Sequence, residues 1–260
     1  MKPEQAVRFR IIADPMPLEF CLTVRHERNY EMQIEQSKTQ YLLGDLHGDF
    51  VSSEIAETIQ SFLTIENLYI AAAREITTKL ENLNDEYKIT ADRQPIHQIK
   101  TRIKTPRSII DKLIRRGFEL NIQSIKDQLN DIAGVRVICS YIDDIYALAD
   151  LLVQQDDIEL LCTEDYIKDP KPNGYRSLHL VVTVPVFLSR STERIKVEVQ
   201  IRTIAMDFWA SLEHELVYKL DNEKSHEIIT ELRECSEIIA QTDVRMQRLR
   251  KIVFAAPGDG

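Results

Sequence analysis

The sequence predicts an α/β protein in which a mixed central β-sheet is flanked by helices, with more helices at both ends. Three observations carry this. First, between about residues 105 and 218 strand-like and helix-like segments alternate, the order that builds a layered sheet with helices packed on it. Second, the segment IKVEVQIRT, residues 195–203, alternates strictly: Val197, Val199 and Ile201 share one face, and Glu198, Gln200 and Arg202 the other. Third, the segments from about Ser52 to Tyr87 and from Ile228 to Val253 carry apolar residues at helical spacing.

In chain order, the first fifty residues give the weakest signals. Val7, Phe9 and Ile11 alternate like a short strand that Pro15 and Pro17 break. Gly44 to Asp49 read GDLHGD, a metallophosphoesterase-like opening without the later ligand motifs that family needs, so a polar turn is expected there. From about Ser52 to Tyr87, Ile55, Ile59, Phe62, Leu80, Leu83 and Tyr87 fit one helical face. Thr105 and Pro106 are an N-cap and a first-turn proline, which starts a helix that runs to about Gly117. A strand is expected at about 135–139, a helix at 143–154 and a strand at 159–166. A Pro/Gly-rich loop follows, then strands near 178–184 and 195–201 and a helix at about 205–218. Ile228, Leu232, Cys235, Ile239, Thr242, Met246, Leu249 and Val253 form a heptad seam, expected to pack on the chain's own N-terminal helices, on another subunit, or both. The regions are therefore 1–50, an extension of unassigned role; 51–96, helical; 97–219, the α/β domain; and 220–260, a helical extension.

Composition narrows the function. At 260 residues, with 43% hydrophobic and 29% charged residues, the chain is an ordinary globular protein. Its apolar runs fall far short of the roughly 20 residues that span a bilayer. No secretory signal precedes the domain, and the cytoplasm is the expected location. Cys21, Cys139, Cys162 and Cys235 are scattered, which suggests structural roles rather than a zinc site or disulfide framework. A net charge of −9 opposes broad nucleic-acid binding, yet Lys100, Arg102, Lys104, Arg107, Lys112, Arg115 and Arg116 crowd one segment that contains a single acid, Asp111. That contrast suits a small polyanion.

Three motifs carry the chemistry. Arg102, Lys104, Ser108 and Lys112 flank the helix start at Pro106, where free N–H groups and the helix dipole already favour a phosphate. In DIAGVRV, Asp131 is expected to open a strand as a Mg²⁺-holding carboxylate, Gly134 to permit close backbone approach, and Arg136 to point to the polar face. In YIKDPKPNGYRSLH, residues 166–179, Lys168, Lys171 and Arg176 bring positive charge. Tyr175 offers a ring for a base, and Asn173 and His179 can orient polar atoms.

The order RIKTPRSIIDK, DIAGVRV, YIKDPKPNGYRSLH and VEVQIRT, followed by a helix containing Trp, Glu and His, resembles the synthetase domain of the RelA/SpoT family. The compact size is similar to the small alarmone synthetases. The match covers about His97 to Lys219, and no His-Asp dipeptide of a companion hydrolase domain is present. The resemblance implies a nucleotidyltransferase-like synthetase fold. It also implies GTP pyrophosphokinase activity: transfer of the β,γ-pyrophosphate of ATP to the 3′-hydroxyl of GDP or GTP, making (p)ppGpp and releasing AMP. It places Arg102 and Arg136 on the adenine, with Lys104, Ser108 and Lys112 on the ATP phosphates. Lys168, Lys171, Asn173, Tyr175, Arg176, His179 and Gln200 fall around the acceptor. Asp131 and Glu198 are the catalytic, Mg²⁺-holding pair, with Glu198 as general base. The segment Cys162-Thr163-Glu164-Asp165 fits neither acceptor-preference signature of the long family members. Small relatives are often tetrameric, so a homo-oligomer is expected. Arg245, Arg248, Arg250 and Lys251 leave RNA binding open. Two other readings stand beside this one: a toxin-type relative acting on the 3′ end of tRNA, and a regulatory module that has lost catalysis, which the presence of both acids disfavours.

Overall fold

A computed structural model describes residues 53–91, 93–218 and 225–254. The strand expected at Val7 to Ile11, the GDLHGD turn and Cys21 lie outside the described residues. The chain divides into two compact units, Met1–Thr58 and Ile59–Gly260. The first contributes only the opening residues of helix α1 to what is described.

The second unit carries the fold. Helix α1 (Ser53–Ala91) is followed by β1 (Ile96–Ile103), α2 (Pro106–Arg116), α3 (Ile122–Gln128), β2 (Ala133–Cys139) and α4 (Ile142–Val153). Then come β3 (Glu159–Asp165), β4 (Leu178–Phe187), β5 (Thr192–Thr203), α5 (Ile204–Tyr218) and α6 (Ser225–Phe254). The five strands form one mixed sheet in the order β1-β2-β5-β4-β3, in which only β2 and β5 run parallel.

One face of this sheet is the core. Val135 and Val137 on β2, Val197, Val199 and Ile201 on β5, and Leu180 and Val182 on β4 are all buried. They join Ile145, Leu148 and Leu152 of α4 and Tyr69, Ala72, Ile76 and Leu80 of α1 in a single apolar cluster. Each such side chain contributes about 1.5–3 kcal/mol when fully buried. The alternation in residues 195–201 is the cause: one face must pack, so the register of Glu198 and Gln200 on the opposite face is set by their apolar neighbours.

Helix α2 forms as expected. The Thr105 hydroxyl caps Ser108 N at 3.3 Å, Pro106 occupies the first turn, and Gly117 ends the helix at φ 72°. Four expectations need correction. Residues 96–103, read only as the basic approach to that helix, form the edge strand β1, because Ile99 and Ile103 pack on the core while the residues between them stay polar. Helix α3, capped by Asn121, gave no recognised signal. Asp131 precedes β2 rather than opening it, and Lys104 N bonds Ile132 O at 2.8 Å to close β1 against that turn.

The fourth correction concerns the C-terminal helix. Of the expected seam, Met246, Leu249 and Val253 are 48–71% exposed, whereas Ser236, Asp243 and Gln247 are buried. The docked face lies one residue, about 100°, round the helix. It is polar: Thr203 donates to Asp243, Gln247 exchanges hydrogen bonds with Asp143, and Arg250 pairs with Asp144 at 3.3 Å. The helix therefore folds back on its own domain, with Leu232 and Ile239 half-buried near Trp209 and hydrogen bonds further along, and leaves the C-terminal part of its apolar stripe outside. Of the cysteines, Cys139 is buried in β2, and Cys162 and Cys235 are exposed free thiols.

Candidate functional site

The sheet face opposite the core floors a pocket of about 950 Å³. Strand register explains its lining. Lys100 on β1, Arg136 on β2, Gln200 on β5, His179 on β4 and Glu164 on β3 are successive cross-strand partners, one row across all five strands. The next row holds Arg102, Gly134 and Glu198. Side chains alternate along a strand, so both rows present to the same side. Asp131, Lys104, Lys171, Asn173 and Tyr175 join them at the rim.

Asp131 is clamped. Lys104 Nζ lies 2.6 Å and Lys112 Nζ 2.7 Å from its Oδ2, while Oδ1 is buried with no hydrogen-bond partner. Burial opposes ionisation of this carboxyl, but the hydrogen bonds and charges of the two lysines outweigh it and hold its pKa below the ordinary value. Glu198 accepts a 2.9 Å bond from Gln200 Nε2 and faces His179 Nδ1 at 3.5 Å. Burial and the neighbouring Asp131 charge push its pKa up; the His179 contact and the Gln200 bond prevail and bring it below the carboxylate norm. The two acids are thus close enough to sense each other's charge.

Among the described residues, no group of three or more His, Cys, Asp or Glu side chains forms a metal cage. A Mg²⁺ ion does not need one, since it is commonly held by one or two carboxylates with substrate phosphates and water as the remaining ligands. An unpartnered Asp131 oxygen and the Glu198 carboxylate, both lining the pocket, fit that donor set.

The loop before β4 builds an aromatic corner. Asn173 Oδ1 accepts from Tyr175 N at 3.2 Å, and its Nδ2 donates to Glu213 at 3.1 Å. Gly174, at φ 93°, turns the chain so tightly against α6 that a Cβ would sit 2.7 Å from the Ser236 Cβ. The Tyr175 hydroxyl is 2.9 Å from His179 Nε2 and accepts from Arg202 at 3.0 Å. Lys171 Nζ hangs 5.2 Å from the Tyr175 ring centroid and 4.3 Å from that of Tyr166.

Most of the expected residues meet. Arg102, Lys104, Asp131, Arg136, Lys171, Asn173, Tyr175, His179, Glu198 and Gln200 line the pocket, and Lys112 reaches it through Asp131. Three do not. Ser108 is engaged with the Thr105 hydroxyl at 2.9 Å, inside the helix cap. Lys168 is 75% exposed, pairs with Asp165 at 2.9 Å and lies over the Tyr146 ring. Arg176 turns to the far side of its loop and donates to Ser236 at 2.6 Å, because odd and even residues of an extended segment point oppositely and Tyr175 takes the pocket side. Gly134 has no backbone crowding to relieve, since a Cβ there would meet Arg102 O at an ordinary 3.7 Å; it keeps the pocket floor low.

Sequence reading missed one cluster. Asp207, on α5, faces Arg136 at 3.5 Å, Arg202 at 3.5 Å and Lys100 at 3.6 Å. Arg202 is 1% exposed. Its position on the polar face of β5 was readable; its burial depends on α5 covering that end of the strand.

Comparison with known proteins gives the pocket a context. Residues 101–223 match the family model described as a region found in RelA / SpoT proteins. The chain is 45% identical over 186 residues to GTP pyrophosphokinase YwaC of Bacillus subtilis (strain 168), covering 72% of this chain and 89% of that one. It is 34% identical over 182 residues to GTP pyrophosphokinase YjbM of the same organism, covering 70% and 85%. The crystal structure of small alarmone synthetase 1 from Bacillus subtilis bound to its product pppGpp superposes with a TM-score of 0.68 at 33% identity, covering 75% of this chain and 99% of that one.

Proposed function

The chain belongs to the RelA/SpoT family, its activity is that of a GTP pyrophosphokinase, and we propose that the pocket on the polar sheet face performs that reaction as follows. ATP lies across the β1–β2 side, its adenine between Arg102 and Arg136 and its phosphates toward Lys104 and Lys112. GDP or GTP lies across the β4 side with its guanine on Tyr175, ringed by Lys171, Asn173, His179 and Gln200. Both substrates then converge on the row that holds Glu198.

In the transfer, the acceptor 3′-oxygen bonds to the β-phosphorus of ATP, the bond from that phosphorus to the α,β-bridging oxygen breaks, and AMP departs with that oxygen. The 3′-hydroxyl proton passes to Glu198. Its depressed pKa keeps this carboxylate ionised throughout the neutral range, ready to accept. Holding two polyanions in line is the larger task, and Lys104, Lys112, Arg102 and Arg136 offset their mutual repulsion. Asp131 and Glu198 are the residues that would hold a Mg²⁺, which would supply charge neutralisation of the phosphates.

The observation that carries this reading is the unpartnered Asp131 oxygen in the pocket that Glu198 also lines. Among the described residues no helix is long and apolar enough to cross a membrane; a cytoplasmic location is the reading that ATP and GTP as substrates support. Both pyrophosphokinase relatives are named for GTP, which lends no support to tRNA as acceptor. Incubating the protein with ATP, Mg²⁺ and GDP or GTP should give AMP and a 3′-pyrophosphorylated guanosine nucleotide; product with neither acceptor would overturn the proposal.

A further inference from the structure

A second concave site lies away from the nucleotide pocket. It is a cleft of about 440 Å³ between the guanine loop and α6, lined by Arg176 from the loop and Arg245 and Arg248 from the helix. Its single acid, Glu237, is shared: it pairs with Arg233 at 3.4 Å and its charge also reaches Arg176, which leaves three cations to one acid. Among the described residues, neither Arg245 nor Arg248 has a hydrogen-bond or ion-pair partner. Three guanidinium groups around one cavity repel one another, whereas several cations elsewhere among the described residues share a carboxylate. Lys104 and Lys112 share Asp131, Lys100, Arg136 and Arg202 share Asp207, and Arg250 pairs with Asp144. The Arg176 cleft departs from that pattern.

We propose that this cleft is a binding site for a small molecule carrying adjacent phosphoryl groups. Guanidinium forks match phosphate oxygens bidentately, and Arg176 is already oriented for it. Its Nη1 is fixed by Ser236 Oγ at 2.6 Å and Gly174 O at 3.2 Å, which leaves the rest of the guanidinium for a ligand. Val244 and Ala240 form an apolar floor between the cations. A nucleic-acid backbone suits the cleft less well, because it needs a longer track of cations and the net charge of −9 repels it.

The site is wired to the loop. Arg176 follows Tyr175 directly, and Ser236 also donates to Gly174 O at 2.5 Å. A ligand drawing on Arg176 therefore acts on the turn that sets the Tyr175 ring, a consequence that rests on the guanine assignment, whereas the binding itself does not.

The test uses the full chain with its nucleotide pocket first saturated by GDP and an ATP analogue with an uncleavable α,β-bridge. Failure of those two to bind would count against the proposed function and would be seen before the second titration begins. Calorimetric titration with inorganic tripolyphosphate should then show about one further site per chain. Binding there should weaken at least tenfold in the Arg245→Ala/Arg248→Ala double variant, with pyrophosphokinase activity unchanged. Hydrogen exchange of residues 171–177 should slow on binding in the wild type and not in the variant. Equal binding by the two proteins, no binding by either, or uptake of a single-stranded RNA oligomer without tripolyphosphate would each overturn the proposal.

Discussion

Replacing Glu198 with Gln isolates the role assigned to its charge. The change keeps length and shape, so the strand register on either side, Gly134 against Glu198 and Val181 against Glu198, has no steric reason to move. It removes a carboxylate that accepts from Gln200 at 2.9 Å and faces His179 at 3.5 Å. One amide orientation keeps the Gln200 bond and turns an N–H toward His179, a loss of about 1 kcal/mol. Removing a positioned general base costs about 10²–10⁴ in rate, equivalent to roughly 2.7–5.5 kcal/mol at 1.36 kcal/mol per decade. The two magnitudes separate the outcomes: kcat should fall at least a hundredfold while the thermal midpoint moves by a few degrees and the KM values stay within a few-fold. The wild-type log kcat profile should also lose activity with falling pH only below the ordinary carboxylate range, because the pKa of Glu198 is depressed. The assay is AMP release under saturating ATP and GDP, from acid to neutral pH. A Glu198→Gln variant with near-wild-type kcat would refute the general-base role, whatever the fate of the substrate assignment.

Four other perturbations probe separate parts of the molecule. Gly174→Ala adds a Cβ at φ 93° into the Ser236 Cβ and should raise the KM for the guanosine acceptor tenfold or more with much less effect on ATP; equal effects on both substrates would contradict the loop assignment. Asp131 has a depressed pKa when folded, so its contribution is complete above its unfolded value near 4 and fades as pH drops through the folded one. Chemical denaturation should accordingly show Asp131→Asn less stable than wild type by about 1–3 kcal/mol at neutral pH, with the gap closing under acid. Asp207→Asn leaves Arg136, Arg202 and Lys100 without their shared counter-ion and should raise both KM values several-fold with kcat changed less; unaltered KM values would show that the cluster does not hold the substrate-facing arginines. Met246→Glu with Leu249→Glu charges the exposed stripe of α6 and tests the homo-oligomer expected from the sequence: light scattering should report a smaller particle than the wild type, and identical masses would exclude a subunit contact through that stripe.

Much of the fold was legible because its signals are local and strong. Residues 195–203 alternate without exception until Arg202, and a strand buried on one face has only one register that keeps Val197, Val199 and Ile201 inside. The cap at Thr105 and the stop at Gly117 bracket α2 equally plainly. β1 was hidden by its own chemistry: in HQIKTRI the residues that mark an edge strand are Gln98, Lys100 and Arg102, which read as a basic run when their spacing is ignored. Had the period of two been applied there, Lys100 would have joined Arg102 among the candidates. Arg176 and Lys168 show the opposite error. Charge near a motif was taken as charge in the site, although the turn at Gly174 sends Tyr175 and Arg176 to opposite sides. For α6 the sequence carries two stripes, one apolar and one polar, and beyond Ile239 burial chose the polar one, because Asp143, Asp144 and Thr203 offer partners that the apolar residues there lack.

Asp207 was illegible for a deeper reason, and that reason bears on how the pocket works. A site for two nucleotides must gather cations, and gathered cations spread apart unless something holds them. Here carboxylates do so: Asp131 pairs with Lys104 and Lys112, and Asp207 with Lys100, Arg136 and Arg202. The Asp207 contacts are 3.5–3.6 Å long, and Asp207 Oδ1, Arg136 Nε and Arg202 Nε are buried without hydrogen bonds. Charges at that separation orient one another while keeping hydrogen-bonding capacity free. An arriving phosphate or base can therefore recruit the arginines without first breaking a short ion pair, which makes binding cheaper than it would be from a closed salt bridge. No pattern within one segment encodes such an arrangement, since it needs β1, β2, β5 and α5 to converge. It also lets a chain with nine surplus negative charges gather cations in one pocket, because the carboxylates paired with them reduce their mutual repulsion.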